Sequence, residues 1–131
     1  MAEGDNADDL IKQLFGEVVF EYTDAQAIED GILIPFVADK RDTARRITRN
    51  AYDGLKGHYR ANGYAEYTEP QFYRFFFAEL LPLVPAAHQE YDRGGILKTG
   101  YDFGVTQQSD DVLWYLPNEV GGITVMLPED Y

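Results

Sequence analysis

The sequence has no cysteine, one serine, one tryptophan and two histidines. Without thiols there are no disulfides, thiolate zinc sites, iron–sulfur clusters or cysteine nucleophiles. The lone serine, Ser109, has no Gly-x-Ser-x-Gly around it, and a triad would need His58 or His88 folded beside it. In the run Gln107-Gln108-Ser109-Asp110-Asp111 it reads as a turn residue. No Gly-x-x-x-x-Gly-Lys-Ser/Thr loop or Gly-x-Gly-x-x-Gly turn is present, which argues against nucleotide-dependent chemistry. Long apolar runs are missing too, since residues 75–87 are cut by Glu79, Pro82 and Pro85. The first nine residues are acidic where a signal peptide is basic and then apolar. These absences predict a soluble, cytoplasmic, non-enzymatic protein with no cofactor and no metal. Carboxylate-only catalysis, as in glycosidases, is the chemistry that 23 acids leave open.

What is present fits one globular domain over residues 1–131, with 1–9 frayed. At 45% hydrophobic and 26% charged the composition is that of a folded protein, and 131 residues support one core. Charge is the outlying property: 23 acids against 11 bases give −12. Such a chain repels phosphate backbones and anionic lipid and attracts basic proteins. The bases cluster, seven of them lying in residues 40–60 against two acids.

Hydrophobic period changes along the chain. Leu10, Ile11, Leu14 and Phe15 have helical spacing, and Val18, Phe20 and Tyr22 alternate as a strand. Thr23-Asp24-Ala25-Gln26 reads as a capping box opening a short helix that Gly31 stops. Ile32-Leu33-Ile34 before Pro35 reads as a short edge strand. Residues 39–59 read as a helix with Ala44, Ile47, Ala51 and Leu55 as its stripe, and Gly54 and Gly57 favour an end near Tyr52. Thr68-Glu69-Pro70-Gln71 is a second capping box, followed by Phe72, Phe75, Phe76 and Leu80 on one side. Residues 86–93 read as one more helix. Residues 96–105, 112–116 and 122–127 then alternate as an antiparallel meander. The fold class predicted is α+β: an antiparallel sheet with this C-terminal three-stranded meander, joined by Val18–Tyr22, and helices packed mainly on one face. Phe72, Phe75, Phe76 and Trp114 are the expected core. Tyr59, Tyr64, Tyr67 and Tyr91 fall outside any apolar stripe and suit a protein-binding surface.

Phe20-Glu21-Tyr22-Thr23-Asp24-Ala25-Gln26-Ala27-Ile28-Glu29-Asp30-Gly31-Ile32-Leu33 resembles the opening of a domain-of-unknown-function family of short bacterial, phage and plasmid proteins. Thr48-Arg49-Asn50-Ala51-Tyr52 is similar to a second segment of that family, with tyrosine where tryptophan is usual. Gly122-Ile123-Thr124-Val125-Met126-Leu127-Pro128-Glu129-Asp130 is similar to its ending. The resemblance carries no catalytic or binding residue; it implies an accessory gene of a mobile genetic element.

Three groups of residues are candidates for a site. Glu17, Glu21, Asp24, Glu29 and Asp30 form the densest acidic cluster, with Asp110 and Asp111 second. Arg41, Arg45 and Arg49 fall at i, i+4 and i+8, with Lys40 and Arg46 flanking, and read in three ways: internal ion pairs, a protein interface or a phosphate-binding stripe. His88 and Asp92 stand at i and i+4 as two metal ligands do, though two ligands are not a site. The leading reading is an acidic binder of a basic, nucleic-acid-handling or defence protein. The alternatives are a nucleic-acid binder using Arg41, Arg45 and Arg49, or a small metal- or ligand-binding enzyme centred on His88. A homo-oligomer is a further expectation left open.

Overall fold

A computed structural model describes residues 23–131, and the readings of 1–9, Leu10–Phe15, Val18–Tyr22, Glu17 and Glu21 lie outside these residues. Thr23 caps α1 (Asp24–Glu29) as expected: its hydroxyl accepts from Gln26 N–H at 3.1 Å while the Gln26 side chain accepts from Thr23 N–H. The chain turns at Gly31, φ +77°, a value open to glycine. Strand β1 (Leu33–Ala38) follows, running through Pro35 rather than ending there.

The expected helix over 39–59 is half strand. Asp39 and Lys40 both have positive φ, the two-residue hairpin turn that matches strand twist, and they reverse the chain into β2 (Arg41–Thr48). Thr48 then caps α2 (Arg49–Ala61), which runs through Gly54 and Gly57 instead of stopping near Tyr52. The second capping box, at Thr68, starts α3 (Glu69–Leu80) with Pro70 in its first turn. A 3₁₀ turn and α4 (Val84–Asp92) lead to β3 (Leu97–Gly100), β4 (Val112–Pro117) and β5 (Ile123–Met126). A final 3₁₀ turn covers Pro128–Asp130.

The fold is α+β, with the meander β3–β4–β5 at its C-terminal end. The five strands among the described residues lie in the order β1-β2-β5-β4-β3. All neighbours are antiparallel except β2 and β5, which run parallel, so the sheet is mixed rather than purely antiparallel. Alternation assigns two faces. Ile47, Val125, Leu113 and Tyr115 turn toward α2, α3 and α4 and build the core with Phe36, Leu55, Phe72 and Phe76. Burial pushes the hydroxyls of Tyr52 and Tyr59 up to about 12, and Tyr115 up further, although a 2.6 Å hydrogen bond to Thr99 opposes that shift. The other face carries Leu33, Arg46, Thr48, Thr124 and Met126, covered at one end by α1.

Several aromatics sit elsewhere than expected. Trp114 is on this second face, half-buried under Lys98 and Tyr131, not between helix and sheet. Tyr59, Tyr64 and Tyr67 pack against the core through Phe75 and one another, leaving Tyr91, 51% exposed, as the surface tyrosine of that group. The 96–105 strand is cut short because the chain reverses at Phe103, φ +67°. Residues 104–106 then fold back along β3, with Thr106 N–H donating to Lys98 O at 3.0 Å, and cover that sheet edge.

The opposite edge among the described strands, β1, is sealed by a side chain. The Tyr73 hydroxyl accepts from Val37 N–H at 2.8 Å and donates to Pro35 O at 2.7 Å, as an added strand would. Replacing Tyr73 by Phe leaves both edge groups unpaired, with an expected loss of about 1–2 kcal/mol. Exposed Val37 beside that edge then favours pairing between molecules, seen as earlier elution at high concentration. Unchanged melting temperature and elution volume would refute this.

Candidate functional site

Among the described residues, the second face of the sheet is not fully covered. Between α1, the β2–α2 junction and the C-terminal turn lies a groove of about 510 Å³. Its floor is largely apolar, from Ala27, Ile32, Leu33, Pro117 and Met126. Polar groups at its ends are Asp24 and Glu119 on one side and Thr48, Arg49, Asn50 and Asp130 on the other. The described parts of the three sequence segments singled out above, 23–33, 48–52 and 122–130, therefore meet here. Only 117–119 comes from outside them.

Local chemistry holds the groove open. Asp130 accepts from the Thr48 hydroxyl at 2.7 Å, from Asn50 Nδ2 at 2.9 Å and from Leu127 N–H at 3.1 Å, tying the last turn to the start of α2. Arg49 donates its amide to Ile32 O at 2.8 Å and Nε to Gly31 O at 3.2 Å, fixing the α1–β1 turn. Glu119 Oε1 accepts from Asp24 N–H at 3.0 Å.

Beneath α1 lies the most buried charge among the described residues. Arg46 is 1% exposed and uses all five of its N–H donors. Nε and Nη2 grip both Asp24 oxygens at 2.9 Å, and Nη1 and Nη2 reach Asp42 at 2.6 and 2.8 Å. The fifth bond, from Nη1, goes to Arg45 O at 3.2 Å. A guanidinium so gripped is raised above its ordinary value, chiefly by the Asp42 and then the Asp24 hydrogen bonds. Asp42 is correspondingly lowered to about 2, first by Arg46 and then by Ala44 N–H.

This corrects the reading of a basic helix. Arg41, Arg45 and Arg46 lie on β2, where adjacent side chains face opposite ways, and Arg49 begins α2. Lys40 and Arg41 are exposed at the hairpin tip; Arg45 donates Nη1 to Thr43 O at 3.4 Å on the other face. The five cations form no single stripe. Of the three readings offered for them, internal pairing describes Arg46. Asp24, counted among the acids of a binding face, is part of that internal pair.

The other candidates divide. Glu29 and Asp30 are exposed at the end of α1. Asp110 and Asp111 border a second concavity of about 410 Å³, together with Ser109, Tyr101 and Glu129. The Tyr101 hydroxyl is pushed up by burial and then by the charges of Asp111 and Glu129. Glu129 was missed in the sequence because it is adjacent to the acids only in space. Residues 127–130 separate the two concavities, giving Asp130 to one and Glu129 to the other. His88 is half-buried on α4 with Asp92 exposed, and among the described residues no group of three or more His, Asp or Glu is placed to hold a metal. His58 packs edge-on against Tyr59 and Tyr101, and among the described residues no histidine hydrogen-bonds Ser109. No described helix is long and apolar enough to cross a membrane. No family model, curated protein or solved structure matches the chain.

Proposed function

We propose that this chain is a non-enzymatic interaction protein of the phage or plasmid accessory type. Its partner is a basic protein that handles nucleic acid or serves host defence. The observation that carries the reading is how the charges are spent. Arg46, Lys56, Arg60 and Arg93 are taken up in ion pairs within the fold, with Asp24, Asp42, Asp53, Glu69 and Glu90. Glu29, Asp110, Asp111 and Glu129 face solvent without a cation among the described residues. The surplus of acid is therefore on the surface, where it steers a basic partner at a rate that falls as salt rises. An acidic fold of this kind fits a channel evolved for phosphate. The nucleic-acid reading loses its basis with the helix that was to present it.

Charge reversal tests this. Glu29→Lys, Asp110→Lys and Glu129→Lys together should weaken capture of the basic partner from the native host by about tenfold or more, each exposed pair contributing about 0.2–1 kcal/mol. Lys40→Glu with Arg41→Glu should leave capture intact. Capture that survives the acidic triple variant, or that is lost on nuclease treatment, would overturn the reading.

A further inference from the structure

We propose that the groove on the second face is the seat for a short basic segment of the partner, one arginine or lysine side chain with an apolar neighbour. The proposal rests on the reading of an acidic binder and names where on the surface the contact is anchored. The groove's chemistry is mixed in a particular way. Leu33, Pro117 and Met126 offer an apolar floor, and Glu119 and Asp130 put carboxylates at its two ends.

Those carboxylates have no cationic partner among the described residues. Glu119 and Asp130 accept from amide, hydroxyl and carboxamide donors, none of them a cation. The third acid, Asp24, is already paired with Arg46. The lining cation, Arg49, turns to Gly31 O and to Asp53 at 4.0 Å. A long cationic side chain satisfies both parts of such a groove: its methylenes lie on the apolar floor while its head meets an acid. An anionic ligand meets repulsion, and a neutral apolar one leaves the acids unused. A volume of about 510 Å³ is of small-ligand size, suited to a few side chains rather than a folded element.

The sequence supplies its own reporter. It contains two methionines, Met1 and Met126, and Met126 lines the groove. The full chain labelled with ¹³C-methyl methionine is titrated with the capped peptide acetyl-Leu-Arg-Leu-amide. A saturable shift of the Met126 methyl is expected, weakening as sodium chloride is added. Acetyl-Leu-Gln-Leu-amide should bind at least about fivefold more weakly. Glu119→Gln, which keeps the acceptor for Asp24 N–H, should weaken the arginine peptide about two- to fivefold. A silent Met126 methyl, or equal response to both peptides, overturns the proposal. So does a Met126 signal that moves with protein concentration alone, which assigns the groove to a second copy of the chain. A silent Met126 with salt-sensitive capture of a basic protein overturns the groove and leaves the wider reading standing. A responding Met126 with no basic protein captured does the reverse.

Discussion

Replacing Arg46 by alanine should lower stability by about 3–5 kcal/mol, read as a fall in the urea midpoint with little change in slope. The loss does not come from the attraction alone. Asp24, whose side chain is 13% exposed, would be left as an uncompensated charge under α1, while Asp42, at 57%, can turn to water. Arg46→Met combined with Asp24→Leu removes the stranded charge and should recover most of the loss, because a buried ion pair exchanged for apolar groups of similar volume is often nearly neutral. A single variant as stable as the parent would refute this account. The same cluster sets a pH dependence. Asp42 is lowered from its ordinary 3.8 to about 2 in the folded chain. Its contribution is therefore complete above pH 3.8 and disappears as the pH falls toward 2. Without Arg46 the Asp42 carboxyl loses its chief stabiliser and titrates nearer its ordinary value, so this contribution to acid stability should vanish from the Arg46→Ala variant.

That cluster also marks where the sequence stops being legible. Both capping boxes are four-residue signals, complete within themselves, and they form as their residues imply. The meander is local too, its strands consecutive in the chain and paired with their sequence neighbours. Residues 41–48 carry no such signal. Arginine, aspartate and alanine have weak strand preference, and the ion pair that licenses a buried arginine reaches back 22 positions to Asp24. Ala44, Ile47, Ala51 and Leu55 happen to keep helical spacing across a strand–helix boundary, so periodicity alone joins two elements. The parallel β2–β5 pairing is likewise non-local: Arg46 faces Thr124 and Ile47 faces Val125. The groove inherits this difficulty, because 23–33, 48–50 and 117–130 meet only once the sheet is assembled. Its acids at Glu119 and Asp130 stand among ordinary loop residues in the sequence.

Gly122→Ala should cost about 3 kcal/mol or more, and it should do so by prising β5 from β2. A Cβ at this position would overlap the Ala44 carbonyl oxygen and lie 2.6 Å from its carbon. The obstacle is backbone, so no rotamer change relieves it. Nor is Ala44 free to withdraw. Its φ is +63°, its N–H donates to Asp42 Oδ1 at 2.8 Å, and its carbonyl accepts from Asn118 Nδ2 at 2.9 Å. Asn118 in turn accepts from Gly122 N–H at 2.8 Å, so one side chain holds both walls of the close approach. Ala44→Gly removes only a methyl and should not rescue the variant, since the carbonyl stays. Gly57→Ala is the matched control. It lies on the exposed side of α2 with nothing within 4 Å of a new Cβ, and it should stabilise the chain by about 0.5–1 kcal/mol. Thermal unfolding of the two variants should therefore move in opposite directions. Because Thr124 and Met126 follow Gly122 on the displaced strand, the Met126 methyl resonance should shift in Gly122→Ala and stay in place in Gly57→Ala. Equal stability of the two glycine variants would mean that β2 and β5 yield to one another at no cost, and the groove they floor would then not be a fixed shape.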